Sequence, residues 1–124
     1  MAGKIKAKAF PRRQPGVMNK LEERFWGMAV DFASSAIPLP GTQIIPLQMV
    51  FERHTLKLAN GCRYTPDFKV IDREGHIWFI ETKGFWQEDA RVKIKVAAEQ
   101  FWEYRFLAAQ WKKSTGWTFE EFGV

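Results

Sequence analysis

Asp67-Phe68-Lys69-Val70-Ile71-Asp72-Arg73-Glu74-Gly75-His76-Ile77-Trp78-Phe79-Ile80-Glu81-Thr82-Lys83 holds two apolar alternations separated by a short polar turn. Phe68 and Val70 on one side of Arg73-Glu74-Gly75, and Trp78 and Ile80 on the other, recur at the two-residue period of a strand. Arg73-Glu74-Gly75 is polar and ends in a glycine suited to the left-handed backbone of a three-residue hairpin loop. With Asp72 opposite His76, counting back pairs Val70 with Trp78 and Phe68 with Ile80, and places Asp67 opposite Glu81. A one-residue slip would carry one strand's apolar set to the wrong face, so this pattern holds the register.

That register has a chemical consequence. Directly opposed residues have Cβ atoms about 5 Å apart, and opposed like charges destabilise a sheet. Two carboxylates at about 4 Å repel by about 1 kcal/mol in water and about 4 kcal/mol near a protein surface, which a divalent cation would offset. Glu81 and Lys83 are two apart on one strand, so both side chains leave the same face. Pro66 fixes its own φ and biases Thr65 toward extended backbone, stiffening the approach to Asp67. An acid pair and an ammonium on one face suggest phosphodiester hydrolysis with one or two Mg2+ ions, with Lys83 positioning or polarising the nucleophile. Taken singly, Asp67 reads as a turn residue, Glu81 as a solvent-facing strand residue and Lys83 as a solvated strand end. Together they read as an active site.

Outward from this hairpin, residues 1–18 carry Lys, Pro and Gly without apolar periodicity and read as a flexible basic arm, with one domain over 19–124. Asn19 and Glu22 form a helix-start signature, and Leu21, Phe25, Met28, Ala29 and Phe32 predict a helix from about 20 to 34. Glu22 therefore has two readings, a helix cap or a member of the acidic site. After Pro38, Pro40, Gly41 and Pro46, a strand is expected from Leu47 through Leu58. Asn60-Gly61 is a two-residue hairpin signal returning into a strand from Cys62 through Ile71. His76 to Lys83 is the next strand. Gln87-Glu88-Asp89 opens a helix to about residue 101, followed by strands over Tyr104–Trp111 and Trp117–Phe122 joined by Lys112–Gly116. The order of helix, three meandering strands, helix, strand, strand is α+β, one sheet covered by helices.

Composition narrows the chemistry. Of 124 residues, 46% are hydrophobic, against a disordered chain. No apolar run reaches the roughly 18 residues of a membrane span, and no apolar segment backs the N-terminal lysines, so a soluble, unexported protein is expected. Cys62 is the single cysteine and His54 and His76 the two histidines, which rules out a disulfide within the chain and a multi-cysteine zinc cluster. Neither histidine is assigned a role. A metal here would be a hard, oxygen-liking ion, Mg2+ or Mn2+. The net charge of +5 favours an anionic partner, with nucleic acid leading and a merely solubilising tail the alternative. Lys4, Lys6, Lys8, Arg12 and Arg13 are the expected phosphate contacts of the arm, and Lys20 and Arg24 add to the basic charge of the first 24 residues.

Tyr64-Thr65-Pro66-Asp67-Phe68, then Ile80-Glu81-Thr82-Lys83-Gly84-Phe85-Trp86, then Glu88-Asp89-Ala90-Arg91 resembles the phage endonuclease I family. These are junction-resolving enzymes of the PD-(D/E)XK nuclease superfamily. The resemblance is dense over 64–91 and faint from Lys20 to there. It implies a restriction-endonuclease-like core with a central mixed sheet flanked by helices. It also implies Asp67, Glu81 and the Thr82 carbonyl as metal ligands, Lys83 as the catalytic lysine, Glu22 completing the acidic cluster, and Arg91 among the DNA contacts. Members of the family cut four-way and other branched DNA as homodimers, so a Holliday junction resolvase acting in the host cytoplasm is expected. The alternatives are a nicking or transposition-type endonuclease without branch preference, and a DNA-binding accessory protein with a vestigial site.

Overall fold

The computed structural model describes residues 16–30 and 36–123. Helix α1 (Lys20–Ala29) begins where Asn19 closes a reciprocal capping box with Glu22. The Asn19 Oδ1 accepts from the Glu22 N–H at 2.8 Å, and Glu22 Oε1 accepts from the Asn19 N–H at 2.9 Å, satisfying two donors that a helix start leaves open. The helix closes at Val30, short of the expected end near 34; residues 31–35 lie outside the described residues, as do Lys4, Lys6, Lys8, Arg12 and Arg13.

The remaining elements are β1 (Ile37–Leu39), β2 (Thr42–Ile44), β3 (Pro46–Phe51), β4 (Leu56–Lys57), β5 (Arg63–Tyr64), β6 (Phe68–Asp72), β7 (Ile77–Lys83), α2 (Glu88–Gln100), β8 (Arg105–Lys112) and β9 (Gly116–Phe122). A five-stranded sheet runs in the order β3-β6-β7-β8-β9. Only the β7–β8 pair in it is parallel, because α2 intervenes and returns the chain to the same end, as a parallel connection requires. Among the described residues the fold is α+β, with a mixed central sheet and two α-helices.

Alternation along the central strands divides the core in two. Phe68, Val70, Trp78, Ile80, Leu107 and Ala109 pack with Phe25 and Ala29 of α1. Phe79, Phe106 and Ala108 pack with Ile94, Ala97 and Ala98 of α2. The helices thus lie on opposite faces of the sheet, and the middle strands are apolar on both.

The expected hairpin register is the one observed: Phe68 pairs with Ile80, Val70 with Trp78 and Ile71 with Ile77. Gly75 takes φ 89° in the turn. The Asp72 carboxylate accepts from the Glu74 N–H at 2.9 Å, the His76 N–H at 2.8 Å and the Trp78 indole N–H at 2.9 Å. Burial pushes the Asp72 pKa up, but these donors outweigh it and hold it below the ordinary carboxylate value.

Three expectations change. The strand expected over 47–58 stops at Phe51, because Glu52 adopts a left-handed φ of 48° and turns the chain out of the sheet. The Asn60-Gly61 signal marks a wider bend than a two-residue loop. Ala59–Gly61 form a 3-10 turn, closed by the Leu58 N–H donating to the Cys62 carbonyl at 2.7 Å. The strand expected over 62–71 splits at Thr65-Pro66-Asp67, where proline has no N–H for a ladder. The proline-rich breakers also hide a hairpin, β1–β2, turned at Gly41 with φ 78°. No described helix is long and apolar enough to cross a membrane.

Candidate active site

Three strand ends meet at one edge of the sheet. The β3–β6 register pairs Phe51 with Phe68, so the next step outward sets Glu52 against Asp67. The Glu52 N–H donates to the Asp67 carbonyl at 2.9 Å, extending the pairing one residue past the strands. The β6–β7 register, continued one step past Phe68 and Ile80, sets Asp67 against Glu81. Glu52, Asp67 and Glu81 therefore stand in a row across β3, β6 and β7.

Asp67 does not remain in simple ladder opposition to Glu81. It is buried, and its Oδ2 accepts from both the Thr82 N–H and the Thr82 hydroxyl, each at 2.9 Å. Thr82 thus orients Asp67 through its N–H and hydroxyl, a role distinct from the carbonyl ligation expected of it. The buried Glu22 arrives from α1, and one carboxylate oxygen from each of Glu22, Glu52 and Asp67 lies within 4.8 Å of the others. Glu22 is therefore both helix cap and cluster member, since one oxygen can serve the cap and a carboxylate has two. Glu52 escaped the sequence reading. Its signal is the β3–β6 register, which is concealed when Leu47 to Leu58 is taken as one strand turning at Asn60-Gly61.

Glu81 forms the other half of the site. Its Oε1 accepts from the Tyr64 hydroxyl at 2.9 Å, and its Oε2 lies 3.3 Å from Lys83 Nζ. Burial, and next the neighbouring Asp67 charge, push the Glu81 pKa up to about 7 against the pull of Lys83 and Tyr64. Burial and the Glu81 charge also hold Tyr64 well above the ordinary phenol value, so Tyr64 serves as a neutral donor. An open cleft of about 500 Å³ lies here, lined by Tyr64, Glu81, Lys83, Phe85 and Lys93 among others. Phe85 is 76% exposed at its rim.

No family model, curated protein or solved structure matches the chain.

Arg91 has an intramolecular partner. It forms a two-point pair with Glu120, at 2.7 and 2.8 Å, and its guanidinium lies over the rings of Trp86 and Phe122. It joins α2 to β9, and a phosphate contact by Arg91 would compete with that pair. The histidines lie apart from the acidic row: His54 rests on Phe79, and His76 sits in the turn beside Asp72 and Arg105.

Proposed function

We propose that this protein is a Mg2+-dependent DNA endonuclease with a PD-(D/E)XK core, hydrolysing phosphodiesters in branched DNA as a homodimer. The observation that carries the reading is the convergence of Glu22, Glu52 and Asp67, oxygen to oxygen within 4.8 Å, beside a Glu81–Lys83 pair on the next strand. The donor set fits a hard divalent ion: carboxylates supply the anionic oxygens that Mg2+ or Mn2+ prefers. Glu22, Glu52 and Asp67 would hold the ion, with Glu81 adjacent. When bound, such an ion supplies Lewis acidity and neutralises charge developing on the phosphate.

The chain's own residues account for the rest of the chemistry. Thr82 fixes the direction of the Asp67 carboxylate through two hydrogen bonds. Tyr64 and Lys83 hold Glu81 from two sides, and Lys83 keeps N–H donors available to an attacking water or a phosphate oxygen in the cleft. Preorganised donors of this kind need no rearrangement as charge develops.

The test is cleavage of linear duplex, nicked duplex and a four-way junction at equal salt, with and without Mg2+. Cutting of the junction that is lost in Asp67→Ala and Lys83→Ala supports the proposal. Equal cutting of all three substrates would keep the nuclease and remove the branch preference. Absence of both cleavage and Mn2+ binding by calorimetry would overturn the enzyme reading in favour of a DNA-binding accessory protein.

A further inference from the structure

The β4–β5 hairpin breaks a rule of sheet pairing. Its two-step ladder sets Leu56 opposite Tyr64 and Lys57 opposite Arg63. Leu56 and Tyr64 are buried against the α2 side of the core, which leaves Lys57 and Arg63 exposed on the outer side. Directly opposed like charges destabilise a ladder, and neither residue has an acidic partner among the described residues. Arg53, also exposed, lies on the same excursion. From Arg53 to Pro66 the sequence holds three such cations and no Asp or Glu.

The hairpin is firmly held despite this repulsion. Thr55 and Thr65 share a hydrogen bond at 2.8 Å, and the Gln100 side-chain amide donates to the Lys57 carbonyl at 2.9 Å. It is also continuous with the site. Tyr64, next to Arg63, donates to Glu81, and both Tyr64 and Thr65 line the cleft. A rigid element keeps uncompensated cations side by side on the hairpin that supplies Tyr64 and Thr65 to the cleft. An anionic chain laid across it would relieve their repulsion and gain bidentate contacts from the arginines.

We infer that the β4–β5 hairpin is a phosphate-binding arm, in which Arg53, Lys57 and Arg63 hold the sugar-phosphate backbone of the nucleic acid entering the cleft. The choice of nucleic acid rests on the nuclease reading; the unpaired basic ladder does not.

The experiment measures binding of a fluorescent four-way junction and its matched duplex in EDTA, over a range of salt. The full chain is compared with Lys57→Gln/Arg63→Gln and with Arg73→Gln, an exposed residue at the opposite end of β6. Each phosphate contact adds about 0.9 to the slope of log affinity against log salt. The double variant should flatten that slope by about two and weaken binding about fifty-fold at about 0.1 M salt. Arg73→Gln should leave the slope unchanged, and the double variant's melting temperature should equal or exceed that of wild type because repulsion is relieved. An unchanged slope, or a wild-type chain that binds anionic lipid vesicles but no nucleic acid, overturns the inference. Metal-dependent cleavage with an unchanged slope rejects the arm and keeps the nuclease. A flattened slope in a chain that never cleaves rejects the nuclease and keeps the arm.

Discussion

In metal-free solution, raising the pH from about 5 to about 8 is expected to weaken the fold, with Glu81 as a main cause. Its pKa is 4.5 in an unperturbed setting and about 7 in the folded protein, raised first by burial and then by Asp67. Between those values the folded state binds more protons than the unfolded chain, so stability falls as pH rises through the window. Each unit of pKa difference corresponds to about 1.4 kcal/mol, so the full span amounts to about 3 kcal/mol. Urea unfolding in EDTA across this range, on wild type and Glu81→Gln, isolates the residue, because glutamine keeps the shape and cannot ionise. Wild type should lose up to about 3 kcal/mol relative to the variant between the two ends of the range. Added Mg2+ should return part of the loss to wild type through preferential binding to the folded state. Stability curves that stay parallel for the two proteins would refute the assignment of a strained, buried carboxyl to Glu81.

Three further substitutions probe other parts of the account. Glu22→Gln retains an oxygen to accept from the Asn19 N–H but lacks charge, so its melting temperature should stay near wild type while Mn2+ binding by calorimetry weakens at least tenfold; a large loss of stability would make Glu22 chiefly a cap. Asp72→Asn should cost about 1–3 kcal/mol by urea unfolding, because three donors converge on that carboxylate. Since Asp72 titrates below its ordinary value in the folded state, its contribution is present at neutral pH and lost as pH falls through the folded pKa, so the variant should show a flatter acid-unfolding profile. Gly75→Ala meets no atom within 4 Å but must adopt φ 89°, so a loss of about 1 kcal/mol from backbone strain alone is expected, and an unchanged midpoint would put the turn geometry in error.

Legibility in the sequence followed the local strength of each signal. The β6–β7 register was readable because Gly75 ends a three-residue loop and the apolar alternation of Phe68, Val70, Trp78 and Ile80 tolerates no slip. The start of α1 was readable from Asn19 and Glu22, whose reciprocal bonds depend only on residues three apart. The break after Phe51 was not. It depends on Glu52 holding a left-handed backbone that glutamate rarely adopts, and no residue type announces it. Missing that break concealed the β3–β6 register and with it Glu52 as the neighbour of Asp67. The strand-borne pair Glu81 and Lys83 followed from two-residue spacing. The turn of Asp67 toward Thr82 did not, because it arises where Pro66 ends the ladder and the side chain is free to reach across the strand end.

We propose that Asp67 and Lys83 serve metal-dependent hydrolysis of DNA. The most direct measurement is the rate of four-way junction cleavage in Mg2+ by wild type, Asp67→Ala and Lys83→Ala, each confirmed folded by its unfolding transition. Wild type should cut only with metal present, and both variants should cut at least a hundredfold more slowly. Cleavage by the folded variants at the wild-type rate would contradict it.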